Sequence, residues 1–339
     1  MRYVLTRPVV LAAGRRIVRR LDPAVLRLLW SEVQRPDESA LDELLPRWLD
    51  TELVVADVGA RSGVIARWRR FRPHVRVVGF DPDEEECQRL TELEGEDDGA
   101  SFVPVALGPV SGTAVLHLTE APACSSLYPP IPALIRQRPE LAFTEPVGTS
   151  SVVLMTLDEW FLGSAYDHID VVKLDTQGSE LGVLEGGTQA LAAVRLLEIE
   201  VEFNEMYARQ PLFADVDRFL RARGFVLWRL KQLVHFGLRD VPPSSAALSD
   251  SQYFDGRPHP FTGQGGQLFW GHAYYVRHEM AYPDGGAGDW QQAVRDACAA
   301  TAFGFADLAI SRLLQARPAA PESAAADLDR VLAATLPSR

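Results

Sequence analysis

Between residues 53 and 276 the chain alternates short apolar runs with longer stretches whose apolar positions recur every three or four residues. The short runs predict strands at Leu53–Val58, Val75–Phe80, Phe102–Leu107, Val152–Met155, Ile169–Leu174, Leu196–Phe203, Phe225–Leu230 and Leu268–Val276, with a short extra strand at Val115–Leu118. The helical spacing predicts helices at Ile65–Phe71, Pro82–Leu93, Leu157–Leu162, Glu180–Leu191 and Phe213–Arg223. Upstream, Asp22-Pro23 reads as a cap followed by Pro at the first helical position, and a second helix is expected over Ser39–Trp48. An Ala-rich helical tail starts at Trp290 and breaks at Arg317-Pro318. Residues 119–149 and 241–266 are rich in Pro, Ser or Gly and are expected to be long loops. Strands alternating with helices predict an α/β fold, a mostly parallel sheet covered on both faces. In such sheets ligands sit beyond the carboxyl ends of the strands, which turns motif positions into site expectations.

Composition narrows the function classes. The 339 residues are 47% hydrophobic and 24% charged with a net charge of −12, which excludes disordered, collagen-like and disulfide-miniprotein chains. Net acidity argues against general nucleic-acid binding. No run of about 18 apolar residues predicts a transmembrane span. Cys87, Cys124 and Cys298 lie far apart, which suggests a reducing, cytoplasmic setting without a zinc cluster. Residues 1–35 hold eight arginines against Asp22 and Glu32, so the rest of the chain is more acidic than the whole. The apolar stretch Val9–Ala13 is too short for a signal peptide and runs straight into arginines, so the segment is expected to belong to the mature protein.

Three motifs carry chemistry. Asp57-Val58-Gly59-Ala60-Arg61-Ser62-Gly63 follows the first strand. A dinucleotide fingerprint would want glycines where Arg61 and Val64 stand, so a nicotinamide site is disfavoured. The D-x-G-x-x-x-G spacing instead resembles the first motif of S-adenosylmethionine-dependent methyltransferases. Asp81, just past the second strand, offers adjacent acceptor oxygens for a ribose, and also suits a cap for the helix that follows. The third motif is Ile169-Asp170-Val171-Val172-Lys173-Leu174-Asp175-Thr176-Gln177-Gly178-Ser179-Glu180, continuing to Gly186-Gly187 and preceded by Thr156-Leu157-Asp158. These segments, in this order over roughly residues 50–230, resemble the FkbM family of methyltransferases. Gln177 departs from the Glu of many members.

The resemblance implies a Rossmann-like class I methyltransferase fold: a mostly parallel seven-stranded sheet with helices on both faces, plus helical N- and C-terminal extensions. It implies transfer of a methyl group from S-adenosylmethionine to a hydroxyl oxygen of a natural product or sugar-containing substrate. The expected cofactor set is Asp57, Gly59, Ala60, Arg61, Ser62, Gly63, Phe80, Asp81 and Ala106, with Ser125 and Ser126 in a segment that resembles one near the cofactor in the family. Asp175, Lys173 and Glu200 are the catalytic candidates. Glu180 and His168 are further candidates for the base, and Asp175 has the best position, at a strand's carboxyl end. Lys173, inside a buried strand, needs an anionic partner, expected among Glu198, Glu200 and Glu202. Asp175 with Glu202 or Asn204 would suit a divalent metal, but no spacing indicates one. The expected organisation is a basic helical extension over 1–48, a methyltransferase domain over 49–282 and a helical extension over 283–339. Expected partners are a small-molecule or glycan acceptor and no nucleic acid, with a homodimer or membrane contact through the basic N-terminus left open. The rival readings are a non-catalytic methyltransferase-like scaffold and a nucleotide-dependent oxidoreductase.

Overall fold

The computed structural model describes residues 38–61, 63–64, 66–94, 99–236, 251–254, 257–260, 267–282 and 288–335. The expected helix at Asp22-Pro23 and the arginine-rich leader lie outside the described residues, as does most of the 241–266 loop. The chain divides into two compact units, Leu49–Gly286 and a second made of Met1–Trp48 with Ala287–Arg339.

In the larger unit, seven strands among the described residues form one sheet: β1 (Leu53–Val58), β2 (Val75–Phe80), β3 (Ala100–Val103), β7 (Val171–Leu174), β8 (Leu196–Glu202), β9 (Phe225–Phe236) and β12 (Gln267–Arg277). Their order is β3-β2-β1-β7-β8-β12-β9. β1 runs parallel to β2 and β7, and β7 parallel to β8. β12 is antiparallel to both β8 and β9. This is the class I methyltransferase arrangement that the motifs imply. Chain order reverses between β1 and β7, and a crevice opens at their carboxyl ends. The strands are apolar because both faces are covered, with Val54, Ala56, Val172, Leu174, Leu197, Ile199 and Tyr275 in one core.

Helices α2 (Ala66–Arg69), α3 (Glu84–Glu94), α5 (Leu157–Gly163), α6 (Glu180–Glu185) and α7 (Phe213–Arg221) follow their strands. α2 and α6 are shorter than the apolar spacing predicts. α6 stops at Gly186, where a Cβ would meet the Gly108 carbonyl oxygen at 2.2 Å. Pro104 splits the expected third strand into β3 and β4 (Ala106–Leu107). β4 then leaves the main sheet for a second one, with β5 (Gly112–Thr119) antiparallel to β6 (Pro146–Met155). The expected structureless loop 119–149 is therefore ordered: it holds α4 (Pro132–Gln137), two short 3-10 turns and the start of β6. β10 (Ser251–Phe254) pairs with β11 (Arg257–Pro260), and α8 (His278–Ala281) closes the unit's described part.

In the smaller unit, α1 (Glu38–Trp48) packs with α9 (Trp290–Ala302), α10 (Ala306–Ala316) and α11 (Glu322–Thr335). Trp48 and Trp290 rings lie 5.5 Å apart. Asp289 caps α9 by accepting the Gln292 N–H at 2.7 Å. Phe303–Phe305 separates α9 from α10, a break the Ala-rich pattern hides. Among the described residues no helix is long and apolar enough to cross a membrane.

Asp296, fully buried, accepts from Arg312 Nε at 2.9 Å. Arg312→Leu leaves that carboxylate without its cation, and urea denaturation should register a loss of about 3 kcal/mol or more.

Candidate active site

The turn after β1 is built by close approach. Gly59 has φ +80°, and a Cβ there would lie 1.9 Å from the Asp175 carbonyl oxygen. Only glycine lets the loops after β1 and β7 meet. The N–H groups of Gly59 and Ala60 both donate to the Phe80 carbonyl, at 2.9 and 3.1 Å, which ties the end of β2 to the same point.

A cavity of about 740 Å³ opens there. Asp57, Gly59, Ala60, Arg61, Gly63, Phe80, Asp81, Ala106, Ser125, Lys173 and Asp175 all line it. Ser62 lies outside the described residues. Two expected residues do not line the cavity. Ser126 is buried and donates to the Gln177 carbonyl at 2.6 Å, so it braces the loop after β7 instead. Glu200 is buried behind Gln177, whose amide nitrogen donates to it at 2.6 Å.

At one end of the cavity, Asp81 Oδ1 accepts the Asp83 N–H at 2.9 Å, a turn that aims its carboxyl group. Burial raises the Asp81 pKa. Arg61 Nη1 stands 3.9 Å from Asp81 and Nη2 3.0 Å from Asp83. The Phe80 ring is fixed edge-on against Trp160 at 4.9 Å.

Under the floor, Lys173 Nζ donates to the Gly59 carbonyl at 2.9 Å and lies 3.0 Å from Asp57 and 3.7 Å from Asp175. Its expected partners on β8 are thus not the ones it uses, because β1 and the loop after β7 reach it first. Glu198 instead meets Arg67 Nη1 at 3.0 Å and the Tyr274 hydroxyl at 2.6 Å. Burial alone would lower the Lys173 pKa, but the two aspartates override it and raise it. Asp175, 31% exposed at the wall, is the reciprocal case. Burial opposes its charge, yet Lys173 and His272 hold its carboxyl below the usual range. That makes Asp175 a stable anion and a weak proton acceptor.

Gln177 is the residue whose role the sequence motif understated. Its backbone sits at φ +56°. Its amide donates to Asp175 at 2.9 Å as well as to Glu200, and the Tyr207 hydroxyl stands 3.1 Å from its oxygen. Burial pushes Glu200 and Glu202 well above the carboxylate range, and Glu180 up to about 7. Glu180 is occupied by the N–H groups of Thr176 and Gly178 and caps its own loop. Among the described residues no cluster of His, Cys, Asp and Glu is arranged to hold a metal ion.

His168, weighed as a base, is at the amino end of β7 and does not line the cavity. It lies 2.5 Å from Asp167 and 3.2 Å from Asp170, which itself accepts the Val54 N–H at 2.8 Å. The Asp170 carboxylate raises its pKa to about 9 despite burial. A folded-state value above the unfolded one means stabilisation that is complete below about pH 6.5 and lost as pH rises through 9. Chemical denaturation at stepped pH should show that decline, flattened in His168→Gln. At the cavity floor, Lys173→Met should cost about 3–5 kcal/mol in the same assay. Adding Asp57→Asn to that variant should recover part of the loss.

The methyltransferase FkbM domain matches residues 57–227. The 2-O-methyltransferase NoeI of Sinorhizobium fredii is 27% identical over 169 residues, 48% of this chain and 70% of that protein. The hexuronic acid methyltransferase AglP of Haloferax volcanii is 23% identical over 212 residues, 60% of this chain and 75% of that protein. A crystal structure of a methyltransferase FkbM from Methylobacillus flagellatus aligns with a TM-score of 0.35 at 17% identity, covering 73% of this chain and 49% of that one. The matched segment begins at Asp57, on the cavity floor at the end of β1, takes in β2, β3, β7 and β8 in full and ends in β9: the chain belongs to the methyltransferase FkbM domain family.

Proposed function

We propose that this protein transfers a methyl group from S-adenosylmethionine to a hydroxyl oxygen of a sugar-containing acceptor, with residues 49–282 as the catalytic domain. The observation that carries the reading is the convergence of the Gly59–Gly63 turn, Asp81 and Asp175 on one cavity. The two relatives whose names specify a 2-O-methyl transfer and a hexuronic acid substrate support a sugar acceptor.

The residues present fit that donor. The Gly59 turn brings backbone close to the cavity without a side chain in the way. Asp81, with one oxygen fixed by the Asp83 N–H, keeps acceptor capacity for ribose hydroxyls. Phe80 and Ala106 give apolar wall for a nucleobase, and Ser125 offers a hydroxyl across from them. When bound, S-adenosylmethionine supplies an activated methyl group with a neutral thioether as leaving group. The chain's own work is alignment and charge. Rigid loops hold the two reactants in line. The Asp175 carboxylate, kept anionic by Lys173, gives the cavity negative potential that favours a sulfonium.

Asp81→Ala removes charge-assisted hydrogen bonds and should weaken S-adenosylmethionine binding about 10- to 100-fold by calorimetry. Unchanged affinity would move the nucleoside elsewhere. Labelled-methyl transfer to a panel of hexuronic acid and neutral hexose glycosides tests the acceptor class.

A further inference from the structure

The methyl-transfer reading leaves the hydroxyl proton without a destination, and the geometry points to His272 as the general base, held in place by Glu198. This rests on the proposed reaction. Among the described residues lining the cavity, the acids are Asp57, Asp81, Asp83, Glu84, Glu85, Asp175 and Glu198. Asp57 and Asp175 face Lys173, Glu198 faces Arg67, and Asp81 and Asp83 face Arg61. Glu84 and Glu85 open the helix beyond Asp81, at the nucleoside end. His272 also lines the cavity, 19% exposed, on β12 between β8 and β9.

Its Nδ1 is buried without a hydrogen-bond partner and lies 3.5 Å from Glu198 Oε1, a carboxylate placed to receive its N–H when the ring is protonated at Nε2. Glu198 is itself pinned by Arg67 and the Tyr274 hydroxyl. Burial would raise its pKa, but His272, Arg67 and Tyr274 hold it at about 2, so it stays anionic beside the ring. A carboxylate at that distance stabilises the imidazolium that forms.

The backbone beside His272 is adapted as well. Lys231 pairs with His272 and Val234 with Trp270, so Gln232 and Leu233 together oppose Gly271. This is a bulge, and Gln232 takes φ +52° and lines the same cavity. A Cβ on Gly271 would meet Leu233 Cδ2 at 2.6 Å. Bulges next to active sites re-aim side chains, and this one sits one residue from the ring.

In the step, the acceptor oxygen bonds to the methyl carbon as the carbon–sulfur bond breaks. The bond's electron pair stays on the sulfur as a neutral thioether, and the hydroxyl proton passes to His272 Nε2 and then to solvent. The charged or titratable groups that face the ring are Glu198 and its register partner Glu200 on β8, Lys231 on β9, Asp175 after β7, and Arg67 on α2 through Glu198.

The test uses the full chain. His272→Ala should keep S-adenosylhomocysteine affinity within about twofold by calorimetry. Its methyl transfer to the glycoside panel should fall about 100-fold or more and recover with added imidazole. Glu198→Gln should lower kcat about 10-fold or more with S-adenosylhomocysteine affinity kept within about twofold, and Glu198→Asp should recover part of it. Transfer by His272→Ala within threefold of wild type, or a loss that imidazole does not mend, would overturn the proposal. Wild-type protein that binds no S-adenosylhomocysteine would instead sink the reaction itself. If no glycoside is methylated, diethyl pyrocarbonate decides: mass spectrometry should find His272 modified at pH 7.5. A ring that stays unmodified is closed to the cavity and overturns the assignment.

Discussion

Lys173 is the cation around which the sheet's buried acids are arranged. It sits in the middle strand β7, directly opposite Asp57 on β1 and Glu198 on β8. The register continues from Glu198 to Tyr274 on β12 and from Tyr274 to Arg229 on β9. A row of polar side chains therefore crosses five strands on one face, with charges in the order minus, plus, minus, hydroxyl, plus. Buried charges are tolerated only when paired, so each strand must hold its register for its neighbour's charge to be met. The row ends under the cavity, where the same ammonium grips the Gly59 carbonyl and reaches Asp175.

Two residues further along the face, from Glu198 to Glu200, the arrangement changes from paired charge to clustered acids with raised pKa. Burial and the neighbouring acids Asp175 and Glu180 raise the pKa of Glu200 and Glu202 well above the carboxylate range. Gln177, with two N–H groups to give, bridges anionic Asp175 and Glu200 where a carboxylate would add a further negative charge. The Gln in this chain's motif is thus consistent with its neighbours rather than a defect. It hydrogen-bonds both the acid at the wall and the buried one behind it.

Much of this was legible in the sequence because it is local. Asp57 and Gly59 are two residues apart on one turn, and Lys173 and Asp175 flank one strand end, so spacing alone puts them at the crevice. The mostly parallel sheet followed from the alternation of elements, while the strand order did not. What spacing does not encode is which neighbour wins a buried charge: the partner of Lys173 was expected among Glu198, Glu200 and Glu202, but Asp57, its register neighbour on β1, takes that place. Ser126 was expected at the cofactor from a family-like segment and Glu200 at the site from its place near a strand's carboxyl end, but both are buried against Gln177. His272 left no motif at all. It reaches the site through an antiparallel strand far down the chain and a bulge opposite Gly271, features set by tertiary pairing. The ordered stretch at 119–149 was missed because Pro and Ser punctuate it, although its strand β6 pairs along its length with β5.

The position of β12 carries a further consequence for how the chain reaches this state. This strand comes last of the seven yet lies inside the sheet, between β8 and β9. β8 and β9 cannot pair with each other, and both wait for residues 267–277 before their inner edges are satisfied. Such long-range pairing closes a large loop and slows folding. Until it happens, the edges of β8 and β9 stand open to other strands. The half of the sheet that carries Asp57, Asp81 and Asp175 has no such dependence on the late strand. The fold therefore divides in time as well as in role: the wall proposed for the donor can form early, and the wall that holds His272 is the last to be laid down.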